Sequence, residues 1–239
     1  MVIPSLKKIL MDLWSNKLRT FLVALSIAVG VFAVGVVTSA FSIVYKDMAA
    51  DYQQITPHTA MIFSEPFDPS LVAKLSDIPS VKAVDGRYHQ WVKAVGVDGK
   101  QYPIDIHSIG LVDTIQVDKL TYEAGLPALG NNEIYLERQG SAGMGLQPGG
   151  EVELILPNGE SAYLKIVGTV HDVNANPFTF TSQTSAYVTP ATMESLGGSH
   201  LDNFVLLATT GSQTDTAHIR EIANRVADRM RQNGLEVYN

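Results

Sequence analysis

The chain of 239 residues is 46% hydrophobic and 17% charged, a balance typical of folded proteins that excludes a low-complexity or disordered chain. Residues 1–45 carry four basic side chains and one acidic one, a formal charge of +3, whereas the rest carries 13 basic and 23 acidic side chains, a charge of −10. The acidic part argues against nucleic-acid binding, and the lack of cysteine excludes disulfides and thiolate metal sites.

The first 19 residues are predicted to form an amphipathic helix on the cytoplasmic surface of a membrane. Their apolar side chains recur at spacings of three and four, which places them on one helical face: Ile3, Leu6, Ile9, Leu10, Leu13 and Trp14. The charged side chains lie mostly off that face: Lys7, Lys8, Asp12 and Lys17. Such a helix lies in the interface with its tryptophan near the headgroups. The alternative is a simple positively charged flank.

Residues 20–45 contain no charged side chain and are predicted to form a transmembrane helix. At about 1.5 Å per residue, a helix of this length exceeds the roughly 30 Å hydrocarbon core, and it is apolar on every face. The basic side chains before it place the N-terminus in the cytoplasm and residue 46 onward outside. A cleaved signal peptide competes with this interpretation, but its apolar core is shorter, about 7–15 residues. Ser26, Gly30 and Ala33 share a face on which another helix could pack.

Residues 46–239 are predicted to form an extracytoplasmic α+β domain whose two ends share one pattern. The first end is a β-α-β unit with a strand at residues 60–63, a helix at 70–76 and a strand at 78–84. The second end is another such unit, with a strand at residues 203–208, a helix capped by Thr214 or Asp215 that runs to 232, and a strand at 235–238. Residues 52–59 are expected to lead off the membrane, with Pro57 breaking any continuing helix.

The middle of the domain is rich in strands. Two turn sequences, Asp98-Gly99 and Pro157-Asn158-Gly159, each join alternating segments into a predicted hairpin: residues 91–97 with 101–106, and residues 152–156 with 161–170. Further elements are expected as strands at residues 133–136 and 187–188 and a helix at 190–196. We therefore expect one subdomain of residues 46–88 plus 201–239 and an inserted β-rich subdomain of residues 89–200.

The sequence lacks the motifs of common active sites. Its only Gly-Lys pair, Gly99-Lys100, is followed by Gln101 in a hairpin turn, so no P-loop is present. The glycines between residues 140 and 150 are interpreted as a loop, since a strand rather than a helix is expected after them. His171-Asp172 is interpreted as part of a polar loop rather than a metal or acid–base pair. Phe178 and Phe180 are predicted to lie in a surface strand or loop.

From these absences we predict no catalytic, cofactor-binding or metal-binding residue, no bound cofactor and no enzymatic activity of the chain itself.

The order of these parts resembles MacB/FtsX-type ABC transporter permeases. The resemblance covers essentially the whole chain and begins with the basic amphipathic start, in which KLRTFL at residues 17–22 runs into the apolar span. It continues with two stretches of the periplasmic core: EIYL at 133–136 leading through Gly145-Leu146 to PGGEV at 148–152, and IVGTV at 166–170 followed by His171-Asp172.

The resemblance implies a fold, partners and a mechanism. Such permeases join two β-α-β halves into one subdomain with a β-rich insert, dimerise as homodimers or heterodimers, and pair with a separate ATPase subunit. ATP hydrolysis inside the cell moves the first membrane helix, and thereby the exported domain, for export, extraction or mechanotransmission. The expected location is the inner (plasma) membrane, with a single pass in this chain. The expected partners are the ATPase, a second permease subunit, the lipid bilayer and other envelope proteins, with no nucleic acid.

Members of that family continue into three more membrane helices, which this sequence does not contain, so we expect it to be a fragment of a longer permease. In that role Leu13, Trp14 and the helix of residues 21–44 would couple ATPase motion to the exported domain. The alternative is a single-span membrane-anchored sensor or adaptor that binds an envelope ligand or protein. A membrane-tethered hydrolase is the weakest hypothesis, because the sequence offers no nucleophile and base in a recognisable arrangement.

Overall fold

The computed structural model describes Met11, Trp14 and residues 17–238. The chain separates into two compact units, Met1–Asp51 and Tyr52–Asn239. The amphipathic helix predicted over residues 1–19 lies outside the described residues, apart from Met11, Trp14 and residues 17–19, which are helical.

The first helix, α1, spans Lys17–Gln54 and is 38 residues long. Within the described residues, its segment Lys17–Ser39 alone is long and apolar enough to cross a membrane, and none of that segment is buried by the rest of the chain. Exposed apolar side chains on every face suit a helix surrounded by lipid. The helix runs past residue 45 and includes Tyr52–Gln54, and that residues 52–59 lead off the membrane stays a prediction. It stops before Thr56, whose φ of 51° lies in the left-handed region, and Pro57 follows that end.

The second unit contains eleven strands and five helices in its described part. The strands are β1 Ala60–Phe67, β2 Val81–Arg87, β3 His89–Val95, β4 Gln101–Ser108, β5 Thr121–Gly125, β6 Glu133–Glu137, β7 Glu151–Ile155, β8 Ser161–His171, β9 Thr184–Val188, β10 Asp202–Thr209 and β11 Val237–Tyr238. The helices are α2 Leu71–Ser76, α3 Arg138–Met144, α4 Phe178–Thr181, α5 Pro190–Ser195 and α6 Thr216–Gln232.

Four strands form one sheet in the order β11-β1-β10-β2, with every pair antiparallel. The units β1-α2-β2 and β10-α6-β11 therefore interleave, because β10 lies between β1 and β2. Helix α6 begins at Asp215, whose carboxylate accepts a hydrogen bond from the His218 N–H at 3.1 Å, as a good N-cap does. Its buried stripe packs with α2 on one face of the sheet in a core of Ile62, Leu71, Leu75, Val84, Val205, Leu207, Ile222, Val226 and Met230.

The other seven strands form a sheet in the order β5-β8-β6-β9-β4-β3-β7, which closes on itself because β7 also pairs with β8. Strand β8 is 11 residues long, and one of its edges pairs with β7 at residues 161–165 and with β5 at residues 168–171. Both predicted hairpins, β3 with β4 and β7 with β8, are confirmed. The predicted fold class is confirmed as well: an apolar helix, then two β-α-β halves with a β-rich insert.

The second predicted strand is displaced along the chain. It begins at Val81 rather than at residue 78, because residues 78–80 form the turn that follows α2. The Ile78 N–H donates to the carbonyl oxygen of Leu75 at 3.2 Å, and Ser80 has a φ of 72°.

The interpretation of residues 140–150 as a loop is wrong at its start, since α3 begins directly after β6. The carboxylate of Glu137 caps this helix by accepting hydrogen bonds from the N–H groups of Gln139 at 2.6 Å and Gly140 at 3.2 Å. Gly145, with a φ of 71°, ends it. The chain's own carboxylate thus occupies the first N–H groups of the helix, and the absence of a phosphate site there stays a prediction.

The backbones of β5 and β8 approach closely at a pair of glycines. Gly125 lies opposite Gly168, and a Cβ added at Gly168 would lie 2.5 Å from the carbonyl oxygen of Ala124 and 3.0 Å from the ring of Tyr135. Glycine within a strand often marks such an approach. The glycine of the IVGTV stretch thus has a steric role, and β5, which the sequence patterns do not predict, supplies the partner backbone.

Gly168→Ala is expected to destabilise the domain by about 1–3 kcal/mol, because backbone atoms cannot move aside as a flexible side chain would. Guanidinium unfolding of the detergent-solubilised chain, followed by circular dichroism, measures the change. Gly110→Ala is the matched control, since its added Cβ meets only the Thr114 hydroxyl at 3.5 Å. Equal midpoints for the two variants would contradict this account.

Candidate functional site

The residues that follow α1, Ile55–Thr59, are held by a second segment, and these two segments are called the linker and the strap. The strap is residues 115–119, which connect β4 to β5. The Lys119 N–H donates to the carbonyl oxygen of Ile55 at 2.9 Å, and the Asp118 N–H donates to that of Thr56 at 3.1 Å. The linker then enters the four-stranded sheet, where the Thr59 N–H donates to the carbonyl oxygen of Leu207 at 2.7 Å.

A single carboxylate reinforces this attachment. Asp118 accepts a hydrogen bond from the His58 N–H at 2.9 Å through Oδ1, and its Oδ2 lies 2.6 Å from His58 Nδ1. The Asp118 side chain is 7% exposed, and its backbone φ is 52°. The hydrogen bond that His58 donates to Asp118 raises the pKa of His58. The added stability is therefore fully present below the ordinary histidine pKa and is lost as the pH rises through the raised value.

Two charged side chains of β2 hold the strap from the other side. Asp85 Oδ2 accepts hydrogen bonds from the N–H groups of Gln116 at 2.8 Å and Val117 at 2.7 Å. Burial raises the pKa of Asp85, although these two hydrogen bonds oppose the shift. The buried guanidinium of Arg87 donates to the carbonyl oxygen of Val117 at 2.7 Å. The strap thus connects the linker with β2 through charge-assisted hydrogen bonds, which are stronger than neutral ones.

The strap also covers the face of the four-stranded sheet that the helices leave open. Val117 is fully buried there against Phe204, Leu206 and Ala208 of β10. The strap therefore makes its apolar contact with β10 and its polar contacts with the neighbouring edge strand, β2.

The last turn of α1 also contacts the domain. The Tyr52 hydroxyl donates to Asn174 Oδ1 at 3.4 Å, and Gln53 Nε2 donates to Gln213 Oε1 at 3.0 Å. Burial, followed by the charge of Asp118, raises the pKa of Tyr52.

The two sheets meet where the chain crosses between them twice. Asn203 of β10 accepts a hydrogen bond from the His89 N–H through Oδ1 and donates through Nδ2 to the His89 carbonyl oxygen, both at 3.0 Å. The side chain therefore pairs with the main chain of β3 as a neighbouring strand would. Aromatic rings fill the space beside it: Phe204 lies 5.7 Å from Phe63 and 5.0 Å from the His89 ring.

Beside this crossing lies a cavity of about 260 Å³. Its carboxylates are Asp105, Asp118 and Asp172. Asp105 lies 2.9 Å from His89 Nδ1 and 3.3 Å from His107 Nε2. Burial works against ionisation of Asp105, but the hydrogen bonds from His107 and His89 outweigh it and lower its pKa to about 2.

The residues singled out in the sequence do not form a catalytic arrangement. Asp172 accepts hydrogen bonds from the Tyr187 hydroxyl at 2.5 Å and the Asn174 N–H at 2.9 Å, whereas His171 lies near Glu137, with 3.9 Å between Nδ1 and Oε1. Phe178 and Phe180 belong to the short helix α4, not to a strand or loop. No group of three acidic or histidine residues within residues 17–238 could hold a metal ion. The prediction that the chain has no catalytic, cofactor or metal residue stays a prediction.

The sequence patterns do not predict a functional role for the strap, the linker or Asp105. Their residues lie far apart along the chain, and the signal that could find them is covariation between positions such as 58 and 118.

A buried carboxyl on β10, Asp202, carries a strong pKa shift. Burial, with the charges of Asp68 and Asp85 adding to it and Arg87 opposing it, raises the pKa of Asp202 to about 7. A Cβ added at Gly86 would lie 2.2 Å from its Oδ2, so the site is tightly packed.

Comparison with solved structures identifies similar chains, among them the following three. The periplasmic region of MacB from Actinobacillus actinomycetemcomitans matches 75% of this chain and 87% of its own, at 13% identity and a TM-score of 0.46. The extracellular domain of the noncanonic ABC-type transporter YknZ from Gram-positive bacteria matches 75% of this chain and 100% of its own, at 13% identity and a TM-score of 0.48. A domain of a protein described as a permease, from Porphyromonas gingivalis, matches 76% and 92%, at 16% identity and a TM-score of 0.42.

No family model and no curated protein matches the chain. The three structures are regions of the kind of protein that the sequence resembles, and at these identities the likeness concerns the fold alone. The chain thus combines an apolar helix that is long enough to cross a bilayer with a domain to which these three regions are similar.

Asp202→Asn is expected to raise the free energy of unfolding at pH 8 by roughly 1–4 kcal/mol, since each pKa unit is worth about 1.4 kcal/mol. The folded pKa lies above the unfolded value of about 3.9, so the wild-type chain loses stability as the pH rises from about 4 to 7. Guanidinium unfolding between pH 5 and 8 tests this. Asp113→Asn, at an exposed position, is the control. The assignment would be refuted if the difference in free energy of unfolding between the wild-type chain and Asp202→Asn stayed constant with pH.

Asp118→Ala is expected to accelerate hydrogen exchange of the His58 amide roughly 10- to 100-fold, because a hydrogen bond to a charged group contributes about 1.5–3 kcal/mol. Exchange measured by NMR or mass spectrometry on the detergent-solubilised chain reports it. Asp113→Ala, just before the strap, should leave that amide unchanged. Unaltered protection of His58 in Asp118→Ala would show that the carboxylate does not hold the linker.

Proposed function

We propose that the chain is part of the permease subunit of an ABC transporter, in which a separate ATPase subunit moves α1 and α1 moves the extracytoplasmic domain. The observation that carries this proposal is the attachment of the linker through the strap, with Asp118 bound to His58 and to the main chain at Thr56. A membrane helix can pass on a displacement only if its outer end is fixed to the part that has to move.

The attachment has the properties that such a role needs. Its side-chain hydrogen bonds are charge-assisted, and that of Arg87 is buried, where electrostatic contacts are stronger than at the surface. It also reaches both sheets, because the strap extends from β4 of the closed sheet and is bonded to Asp85 and Arg87 of the four-stranded sheet. A displacement of the linker would then move the domain rather than stretch one strand.

The finer parts of this function are proposals as well. They include dimerisation with a second permease subunit, the cytoplasmic N-terminus, and a role in export, extraction or mechanotransmission. The boundaries also stay predictions: a membrane helix of residues 20–45, one subdomain of residues 46–88 plus 201–239, and an insert of residues 89–200. A membrane-anchored sensor or adaptor is the second candidate function. The cavity beside Asp105 favours it, because this cavity offers a place for a ligand.

The test is to tag the protein at its native locus and purify it in detergent. We expect an ABC ATPase to copurify, and we expect Asp118→Ala to leave ATP hydrolysis while reducing the export or signalling phenotype at least several-fold. Asp113→Ala is the control. Purification without any ATPase would overturn the permease proposal and favour the sensor.

The orientation of the chain in the membrane can be tested separately. The chain contains no cysteine, so single cysteines can be introduced and labelled. Asn158→Cys, in an exposed hairpin turn, should react with a membrane-impermeant maleimide in intact spheroplasts. Ser5→Cys should react only after permeabilisation. The reverse pattern would place the domain inside the cell.

A further inference from the structure

The cavity between the sheets has an unbalanced charge. Its lining includes the carboxylates of Asp105, Asp118 and Asp172, and Arg87 is the only lysine or arginine among the described lining residues. The hydrogen bonds of Arg87 go to the carbonyl oxygens of Val117 and Asp118, not to a carboxylate. Among its aspartate, lysine and arginine side chains, three formal negative charges therefore face one positive charge. Partly buried charges that the chain does not balance attract counter-charge from outside.

Apolar and aromatic surface lines the same cavity. Trp91 lies directly opposite Asp105 across β3 and β4 and is 47% exposed, and Met61 of β1 is 51% exposed. The rings of Tyr187 and Phe204 form further wall. Large apolar side chains are usually buried, so a tryptophan and a methionine that are half exposed beside carboxylates are unusual.

The walls are also incomplete as a hydrogen-bonded surface. Nδ1 of His107 and Nδ2 of Asn174 are buried and have no partner within the described part of the chain. His107 Nε2 lies 3.3 Å from Asp105, a carboxylate that only accepts, so Nε2 carries a proton and the second ring nitrogen, Nδ1, is left without a partner. Unpaired buried polar atoms cost about 1–3 kcal/mol each, which favours an occupant that brings a polar group to this wall.

We propose that this cavity binds a small organic cation, an ammonium group carried on an apolar or aromatic body. The carboxylates attract the charge, and the exposed Trp91 ring provides the face on which cations bind best. The volume is below the about 300–1,000 Å³ of drug-sized sites, so the ligand is small. A metal ion is disfavoured because no suitable ligand group exists among residues 17–238, and an anion is repelled.

Binding has a predicted dependence on pH. The charged groups that act on His58 are Asp118, Asp172 and Arg87, and the hydrogen bond that His58 donates to Asp118 raises the pKa of His58. Protonation of His58 adds positive charge to the wall, so a cation should bind more weakly at pH 6 than at pH 8. An uncharged ligand of the same shape should show no such change.

The experiment uses the full chain in detergent with Trp14→Phe, which leaves Trp91 as the only tryptophan. The probes are phenethylammonium, the neutral isostere 2-phenylethanol and the anion phenylacetate, titrated by tryptophan fluorescence and by calorimetry. We expect saturable binding of the cation, weakened by salt and by acid pH, and at least several-fold weaker binding of the other two. Equal affinity for cation and alcohol, or no saturable binding of the cation, overturns the proposal.

Variants at the exposed mouth separate binding from folding. Met61→Lys adds a positive charge at a half-exposed position and should weaken binding of phenethylammonium, whereas Met61→Leu should retain it. Trp91→Leu, measured by calorimetry, should weaken it by roughly 3- to 30-fold, the range of a cation–π contact. Unchanged affinity in both Met61→Lys and Trp91→Leu would place the ligand elsewhere. Because no partner protein is involved, failure here leaves the ATPase test unaffected.

Discussion

The contact between Asp118 and His58 joins three parts of the fold that are distant in sequence. One partner lies just after α1, the other lies in the connection between β4 and β5, and the segment that carries Asp118 is held by Asp85 and Arg87 of β2. Removing either side would leave a buried group without its partner, which is more costly than the net gain of an ordinary hydrogen bond. The arrangement therefore fixes where the chain enters the domain.

The acidic character of the domain is also visible in its interior, where several aspartate side chains lie. The domain is strongly acidic, and several of its carboxylates are turned inward, where they accept backbone hydrogen bonds or face histidines. Asp85 and Asp118 accept hydrogen bonds from backbone N–H groups, and Asp105 pairs with two histidine rings. Burial raises the pKa of Asp202 to about 7. One residue type thus performs structural, electrostatic and titrating roles, depending on whether its surroundings offer donors.

Much of the architecture could be predicted because it is local. Apolar runs, alternation, the Asp98-Gly99 turn and the Asp215 cap each act over a few residues, and the elements that they predict are present. Helix α3 escaped prediction because its N-cap is a glutamate and glycines fill it, and β5 escaped because it is mostly exposed. The strap and the cavity could not be predicted, since they arise from contacts such as His58 with Asp118, 60 residues apart along the chain.

The side chain of Asn203 has a consequence for how the domain is organised. It pairs with both main-chain groups of His89, so the points at which the chain leaves the four-stranded sheet and returns to it lie side by side. An inserted lobe whose two ends meet can be lengthened, shortened or exchanged while the parent sheet keeps its register. The closed sheet is in this sense a replaceable module, and related proteins could vary it independently of the part that joins the membrane helix.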